Sequence, residues 1–382
     1  MSLVQGTTTE RFGVLRDMLE ENLSSGLDVG ASLAVVSHGE FVADLWGGYR
    51  DEARATPWDA DTLVNVWSSS KTMTFLVALM LADRGELDFD APVANYWPEF
   101  ARQGKASILV RDVMGHTAGL SGWDPPFEPE GLADWEFATT ALARQAPWWE
   151  DRSQSGYHAM TQGFLIGELV RRITGTTIGR FLRSEVADVL GADFFIGLPE
   201  SEEPRVSLVI PMPPADPATL PLIDRALAID SVAYRTLSTP ALDATYPQRR
   251  WWRGAEIPSV NGHGNAHSVA LIQQIIANNG HADGHRFFSE RTAERIFQSQ
   301  ALGQDLVLGR EINFGLGYGL ASPTVPIGPR TCFWMGFGGS LVIMDQDLEL
   351  TVAYMMNQMR VGLAGDTRGF GFAMAAFVAA MA

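Results

Sequence analysis

The sequence is poorest in cysteine and lysine, and both shortages restrict what the chain can be. Cys332 is its single cysteine, so no disulfide can form within the chain. The opening residues, MSLVQGTTTERF, lack the apolar core of a signal peptide. Together these features predict a protein of the reducing cytoplasm.

Long apolar runs and excess positive charge are also lacking. No run approaches the ~20 apolar residues that cross a bilayer. The net charge of -17 and the pI near 4.8 disfavour nucleic acid and anionic membranes, both polyanions. With 382 residues and 46% hydrophobic composition, the chain is long and apolar enough for a large core divided between two lobes. We therefore expect a globular protein that binds neither nucleic acid nor membrane.

Strand patterns lie at the two ends of the chain. Residues 31–37 and 41–47 flank a His-Gly-Glu turn and predict a β-hairpin, preceded by a helix over roughly Thr9 to Leu23. Three apolar runs follow near the C-terminus, at 330–336, 340–345 and 348–356, before a helix over about 370–381. These patterns predict one antiparallel sheet built from both ends.

The middle of the chain is richer in helical patterns, such as residues 158–175, and Pro-rich loops are expected over 199–258. The predicted fold is therefore α+β. Residues 1–95 and 265–382 are predicted to form a domain with the antiparallel sheet flanked by helices. Residues 96–264 are predicted to form a mainly helical inserted domain.

Of the two lysines, Lys71 stands three residues after Ser68, in the stretch NVWSSSKTMT. The helical pattern that ends at Gly85 puts Ser68 at the start of a helix and Lys71 beside it. The positive helix end is expected to lower the pKa of Lys71, giving a neutral amine that can accept the Ser68 proton. Ser-x-x-Lys is a short pattern, and Ser68 as an ordinary helix N-cap fits it equally well. Lys105, in ARQGKAS, is predicted to be solvated.

Further motifs occur in a fixed order along the chain. They are WSSSKT, LDFDAPVANYWPEF, VMGHTAGLS, GYHAMTQGFLIGELV, FGLGYGL and WMGFGGSL. Over about residues 9–380 the sequence resembles the serine hydrolases of the penicillin-binding-protein and class C β-lactamase fold, most closely the family VIII carboxylesterases. The resemblance implies catalysis without metal or cofactor, with Ser68 as nucleophile and Lys71 and Tyr157 as its partners. It also implies an oxyanion hole from the N–H groups of Ser68 and Phe337.

Tyr157 is expected in a loop before a helix, partly as phenolate, sharing the work of general base and then returning the proton to the leaving group. Two departures from the β-lactamase pattern concern the substrate. Trp334-Met335-Gly336 replaces Lys-Thr-Gly, and Ala159 stands where an asparagine is frequent. Trp334, Gly336 and Ala159 are the predicted substrate-binding positions. Without the third-motif lysine, recognition of a substrate carboxylate is weakened, which favours small neutral carboxylic esters as substrates.

Other residues are weaker candidates for a functional role. His116 is interpreted as a buried hydrogen-bonding residue, His158 as a neighbour that tunes Tyr157, and His263 with His267 as too incomplete a set to bind zinc. Five tryptophans are candidates to line the acyl or alcohol side of the site: Trp123, Trp148, Trp149, Trp251 and Trp252.

Three alternatives to an esterase remain open. They are an acyltransferase that uses the same acyl-enzyme, a weak β-lactamase or D-amino-acid peptidase, and a penicillin-binding-like module without turnover. The oligomeric state and the physiological ester do not follow from the sequence.

Overall fold

The structure, a computed structural model, describes residues 2–212, 230–360, 362 and 365–382. Its strands, in chain order, are β1 Val4–Thr8, β2 Gly30–Ser37, β3 Glu40–Gly48, β4 Val64–Asn65, β5 His263–Gly264, β6 His281–Ala282, β7 His285–Arg286, β8 Ala301–Gln304, β9 Glu311–Phe314, β10 Gly319–Leu320, β11 Thr331–Met335, β12 Leu341–Asp345 and β13 Leu350–Met356.

The helices that the structure describes are α1 Val14–Ser25, α2 Lys71–Asp83, α3 Val110–Met114, α4 Trp135–Arg144, α5 Thr161–Thr174, α6 Ile178–Leu182, α7 Asp188–Leu190, α8 Val232–Ser238, α9 Arg250–Gly254, α10 Ala266–Ala277, α11 Glu290–Glu294 and α12 Thr367–Met381. A π-helical turn, Arg183–Ala187, joins α6 to α7.

Both ends of the chain enter one antiparallel sheet, as predicted. Among the described residues it has nine strands in the order β1-β3-β2-β13-β12-β11-β10-β9-β8. The predicted hairpin is β2–β3, with Ser37 opposite Glu40 at its turn. The C-terminal strand β13 pairs with β2 on one side and β12 on the other, which joins the two ends of the sequence. The predicted α+β fold class is confirmed.

Helices cover both faces of this sheet. Along β13, Val352 and Tyr354 pack in a cluster with the buried residues of α1 and α12, whereas Ala353 and Met355 face the cluster that contains α2 and α10. Alternate residues of a strand point to opposite faces, so a strand buried on both sides must be apolar throughout. This explains why the run TVAYMM contains almost no polar residue.

Among the described residues, the segment between β3 and β5 consists of helices and irregular loops, with β4 as a short strand. Its helix α5 matches the predicted helix and ends at Gly175, whose φ of 73° provides the left-handed turn. Within the predicted Pro-rich loops, α8 and α9 are short, and residues 213–229 lie outside the described residues. The domain boundaries at 95/96 and 264/265 stay a prediction. In the part of the chain that the structure covers, no helix has both the length and the apolar character needed to cross a bilayer.

The prediction of a solvated Lys105 is wrong, because the side chain is fully buried. Its Nζ donates to the carbonyl oxygens of Arg102 at 3.0 Å and Ala143 at 3.1 Å, and to that of Gln145. Ala143 and Gln145 lie at the end of α4, where the last carbonyls of a helix lack intrahelical donors. Lys105 therefore caps α4 from a distant segment.

Candidate active site

Ser68 lies in a tight 3₁₀ turn, Trp67–Ser70, immediately before α2. Trp67 has a φ of 51°, in the left-handed region that is unfavourable for a bulky side chain. Ser70 stabilises this turn, because its Oγ donates to the Trp67 carbonyl and accepts the Gly262 N–H at 2.8 Å. A strained residue held in place beside a reactive group is typical of functional sites.

The three consecutive serines have different environments. Ser69 Oγ lies 3.0 Å from Ser340 Oγ, and Ser70 binds the turn backbone as described above. Ser68 Oγ instead lies 2.8 Å from Tyr157 Oη and 3.5 Å from Lys71 Nζ. Of the three, Ser68 is thus the one brought together with the predicted lysine and tyrosine.

Lys71 is fully buried as the first residue of α2. Besides Ser68 Oγ, its Nζ contacts two backbone carbonyls, Ala159 O at 2.6 Å and Ser259 O at 3.1 Å. Burial lowers the pKa of Lys71 well below its ordinary value, since the charged amine loses its hydration. The sequence predicted this direction but attributed it to the helix end, whereas burial is its cause here.

Tyr157 lies in the loop before α5, and its hydroxyl donates to Ser68 Oγ. Burial raises the pKa of the Tyr157 phenol, although the Lys71 Nζ lies 4.8 Å from the ring centroid. Burial therefore acts against the partly ionised phenol that the sequence predicted. In this environment Tyr157 is a proton donor, because desolvation disfavours the phenolate.

Three successive amides fix the backbone around Tyr157. The Gly156 N–H donates to the His116 carbonyl oxygen at 3.0 Å, and the His158 N–H donates to Nδ1 of the same residue, also at 3.0 Å. The Tyr157 N–H donates to Asp305 Oδ1 at 3.1 Å. His116 thus has the structural geometry that was predicted, and its burial lowers its pKa well below the ordinary value.

The ring of His158 turns away from Tyr157. Its Nε2 accepts the Leu120 N–H at 3.1 Å, and its Nδ1 lies 2.6 Å from the Gly156 carbonyl. Burial lowers the pKa of His158 to about 3, so the ring is neutral. Its link to Tyr157 is through the backbone.

The end of β11 reaches the Ser68 turn at Gly336. A side chain there would collide with the Val66 carbonyl, because a Cβ would lie 2.7 Å from that oxygen. This close approach brings the next residue, Phe337, against Trp67, with ring centroids 5.3 Å apart. Among the described residues, neither the Ser68 N–H nor the Phe337 N–H has a hydrogen-bond acceptor. Both are therefore available to a ligand oxygen.

Trp334 forms one side of a narrow cavity next to Tyr157. The indole ring stacks on His116 at 5.6 Å and is buried. The space between its lining residues is about 300 Å³ including the opening to solvent, and its interior of about 20 Å³ has room for about one water molecule. It is lined by Tyr157, Leu308, Arg310, Ile312, Phe314, Gly319, Phe333, Trp334 and Met335. Apart from Arg310 this lining is largely apolar, which favours an uncharged group over a charged one. Ala159 contributes to the site through its carbonyl, which binds Lys71.

The five candidate tryptophans are absent from this cavity lining. Trp123 and Trp252 are fully buried in the core, where their indole N–H groups bind Ala138 O and Asn65 Oδ1. Trp123 and Trp252 therefore pack in the core, a role that the sequence alone does not distinguish from ligand binding.

The two histidines that the sequence suggested as an incomplete zinc set have ordinary partners. His263 Nδ1 lies 2.8 Å from Asn261 O, and His267 Nδ1 lies 2.9 Å from Asp44 Oδ2, beside the stacked ring of Phe41. Within the described ranges, no group of three His, Cys, Asp or Glu side chains is placed to hold a metal ion.

Asp305 is the residue of this site that the sequence did not single out. A local signal exists in the stretch DLVL, because aspartate often accepts the amides two and three residues after it, as Asp305 does. Its contact with Tyr157 spans 148 residues and has no local signal.

This sheet order, with a Ser-x-x-Lys turn at the start of a buried helix, defines the class of β-lactamase-like and penicillin-binding-protein-like folds. The chain belongs to the Beta-lactamase family, whose model matches residues 18–369. The resemblance predicted from the motifs is thereby confirmed.

Relatives cover most of the chain. It is 35% identical to a protein described as a family VIII carboxylesterase, with a TM-score of 0.91 over 98% of this chain and 99% of that one. It is 36% identical to the esterase/beta-lactamase LipL of Mycobacterium tuberculosis, over 86% of this chain and 77% of the relative. It is 26% identical to the esterase EstB of Burkholderia gladioli, over 88% of each chain.

Proposed function

We propose that the protein is a carboxylesterase that hydrolyses small carboxylic esters through an acyl-Ser68 intermediate. The observation that carries this proposal is the position of Ser68 Oγ, 2.8 Å from Tyr157 Oη and 3.5 Å from Lys71 Nζ. The printed names of the relatives, a family VIII carboxylesterase and two esterases, support the same reaction.

Hydrogen-bond geometry supports Lys71 as the proton acceptor. A neutral lysine amine has two N–H groups and one lone pair, and the carbonyls of Ala159 and Ser259 can take both N–H groups. The lone pair is then left for the Ser68 hydroxyl. Burial favours this neutral form, so Lys71 accepts the proton when Ser68 Oγ attacks the ester carbonyl.

The later steps follow from the same contacts. The N–H groups of Ser68 and Phe337 stabilise the oxyanion. As the bond to the alcohol oxygen breaks, Tyr157 Oη donates its proton to that oxygen and regains one from the Lys71 ammonium. Water then attacks the acyl-Ser68 carbonyl with Lys71 again as the base, which releases the carboxylic acid and restores Ser68.

The proposed site lies between the two proposed domains. Ser68, Lys71 and Phe337 belong to residues 1–95 and 265–382, whereas Tyr157 and Ala159 belong to residues 96–264. Small neutral esters are the proposed substrates, because Trp334 replaces the cation of the third motif. Arg253, an alternative cation in the insert, is already paired with Glu203. Cytoplasmic location is part of the proposal and is supported by the single, buried Cys332.

A panel of p-nitrophenyl esters of graded acyl length, beside a chromogenic cephalosporin, tests this function. Ser68→Ala is expected to abolish ester turnover. The matched control Ser69→Ala should keep activity within a few-fold, because the Ser69 hydroxyl lies against the Ser340 hydroxyl and its amide binds the backbone of the turn. Products with an added alcohol separate hydrolysis from acyl transfer. An active Ser68→Ala variant, or a wild type that cleaves no ester, contradicts the proposal.

A further inference from the structure

The loop between β8 and β9 connects the sheet to the segment that carries Tyr157. Asp305 in this loop is 1% exposed. Its Oδ1 accepts the Tyr157 N–H at 3.1 Å and the amides two and three residues further on at 2.8 Å each. The next amide, of Leu306, donates to the Ser155 carbonyl at 2.9 Å. The loop thus holds the backbone on both sides of Gly156.

The second carboxylate oxygen of Asp305 is not needed for this turn. Within the described residues, Oδ2 is buried and has no hydrogen-bond partner. Arg310 is the neighbouring cation: burial lowers the pKa of its guanidinium, and the charge of Asp305 acts in the opposite direction. A buried oxygen of this kind costs free energy, whereas asparagine could hold the same amides through its Oδ1 without a charge. The charge therefore requires an explanation beyond the turn.

We propose that Asp305 is a positioning residue, which holds the Tyr157 amide so that the phenol hydroxyl stays directed at Ser68 and ready to donate its proton. The proposal rests on the esterase function above and adds a residue to it. Asp305 contacts neither Ser68 nor the reacting ester in this arrangement, so its effect must pass through Tyr157.

The charges around Tyr157 support this interpretation. The phenol is surrounded by Ser68, Lys71, His116 and Trp334. Arg310 lines the same cavity, and Asp305 lies at the Tyr157 amide. Burial raises the pKa of Tyr157, and the negative charge of Asp305 acts in the same direction. His116 is neutral, since burial lowers its pKa well below the usual value. Asp305 therefore favours the protonated phenol that the leaving alcohol needs.

Leaving-group chemistry distinguishes this role from a structural one. An alkoxide must be protonated as its bond to the acyl carbon breaks, whereas p-nitrophenolate leaves readily as the anion. A misplaced Tyr157 should therefore slow an alkyl ester more than a p-nitrophenyl ester with the same acyl group. General loss of stability should slow both equally.

The experiment compares ethyl butyrate with p-nitrophenyl butyrate. Asp305→Ala is expected to lower kcat for the ethyl ester about tenfold more than for the p-nitrophenyl ester. Asp305→Asn keeps the Oδ1 acceptor, so most of the ethyl ester activity should return. In a Tyr157→Phe background, Asp305→Ala should leave the ratio of the two rates unchanged.

Asp345 provides a matched control. It is a buried carboxylate whose Oδ1 accepts the Leu348 N–H at 2.8 Å, at the end of β12 remote from Gly336. Asp345→Ala should lower stability without changing the ratio between the two esters.

Equal slowing of both esters by Asp305→Ala would overturn the positioning role while leaving the esterase function intact. If Asp305→Ala does not fold, Asp305→Ser is measured in its place, because its shorter side chain should not reach the Tyr157 amide. A larger loss for the ethyl ester than for the p-nitrophenyl ester then supports the proposal, and equal losses overturn it. A wild type that cleaves neither ester contradicts the proposed function itself.

Discussion

The two lysines of the chain are buried in similar surroundings but in different hydrogen-bond sets. Lys105 Nζ donates to three backbone carbonyls and lies 5.3 Å from the Phe100 ring. Lys71 Nζ has two carbonyls and the Ser68 hydroxyl as partners, and lies 4.8 Å from the Tyr157 ring. The two amines differ in one hydrogen-bond partner, which is a third carbonyl for Lys105 and the Ser68 hydroxyl for Lys71.

Burial lowers the pKa of both amines, to about 8 for Lys105 and well below the ordinary value for Lys71. A lowered lysine pKa is therefore not a sign of catalysis by itself. A carbonyl can only accept a hydrogen bond, so Lys105 has no proton to receive. The hydroxyl of Ser68 can donate, and this makes Lys71 the candidate base.

The largest predicted effect tests that distinction. Lys71→Met and Lys71→Arg should each lower kcat for a p-nitrophenyl ester by ~10²-fold or more, because methionine is not a useful base and arginine does not lose its proton. Lys105→Met should keep kcat per folded molecule within about twofold, since Lys105 contacts no reacting group. Steady-state kinetics with an active-site titration makes the measurement. An active Lys71→Arg variant excludes the base role.

The next effect concerns the substrate and gives the site a second lysine. Trp334→Lys should raise kcat/KM for a carboxylated β-lactam relative to a neutral ester by roughly ten- to a hundredfold, because a charge-assisted hydrogen bond contributes about 1.5–3 kcal/mol. The wild type should cleave penicillins and cephalosporins slowly. Parallel assays with both substrates measure the ratio, and Trp334→Met controls for loss of the indole. A wild type that hydrolyses a penicillin as efficiently as p-nitrophenyl acetate contradicts this account.

These two sites show how far the sequence predicts the molecule. The hairpin β2–β3 and the strands β11, β12 and β13 were predictable, because alternating or continuous apolar runs and Gly-containing turns are local signals. The spacing of Ser68 and Lys71 is a local signal as well, and the two side chains lie 3.5 Å apart in the structure.

The partners of Lys105 and Asp305 were not predictable in this way. Lys105 reaches Gln145 across 40 residues, and Asp305 reaches Tyr157 across 148. The effect of burial on the pKa of Tyr157 was not predictable for a related reason. The sequence shows the nearby amine, but the larger effect is burial, which depends on the packing of the whole site.

A smaller effect is expected on stability. Here Lys105→Met should cost more than Lys71→Met, the reverse of their effects on kcat. Lys105→Met leaves the carbonyls of Arg102, Ala143 and Gln145 without their donor, which should cost about 2–4 kcal/mol of unfolding free energy. Lys71→Met leaves two carbonyls, those of Ala159 and Ser259, without this donor, so it should destabilise less. Urea unfolding of both variants measures the difference. Equal losses would mean that the two amines play the same structural role.

The last predicted effect, at most about 1.4 kcal/mol per pH unit, is the pH dependence of that stability. Lys105 has a pKa of about 8 when folded and its ordinary value of 10.5 when unfolded. Between these values the unfolded chain holds a proton that the folded protein has released, so raising the pH destabilises the unfolded state. The unfolding free energy of the wild type should therefore rise relative to Lys105→Met between pH 8 and 10.5, by at most about 1.4 kcal/mol per pH unit, and show no such rise below pH 8. The same subtraction with Lys71→Met should also give a rise with pH, because burial lowers the pKa of Lys71 well below its ordinary value. Urea titrations from pH 6 to 10.5 provide both curves. If the Lys71 curve showed no rise, its amine would stay charged in the folded protein and the assignment of the base would lose its electrostatic support.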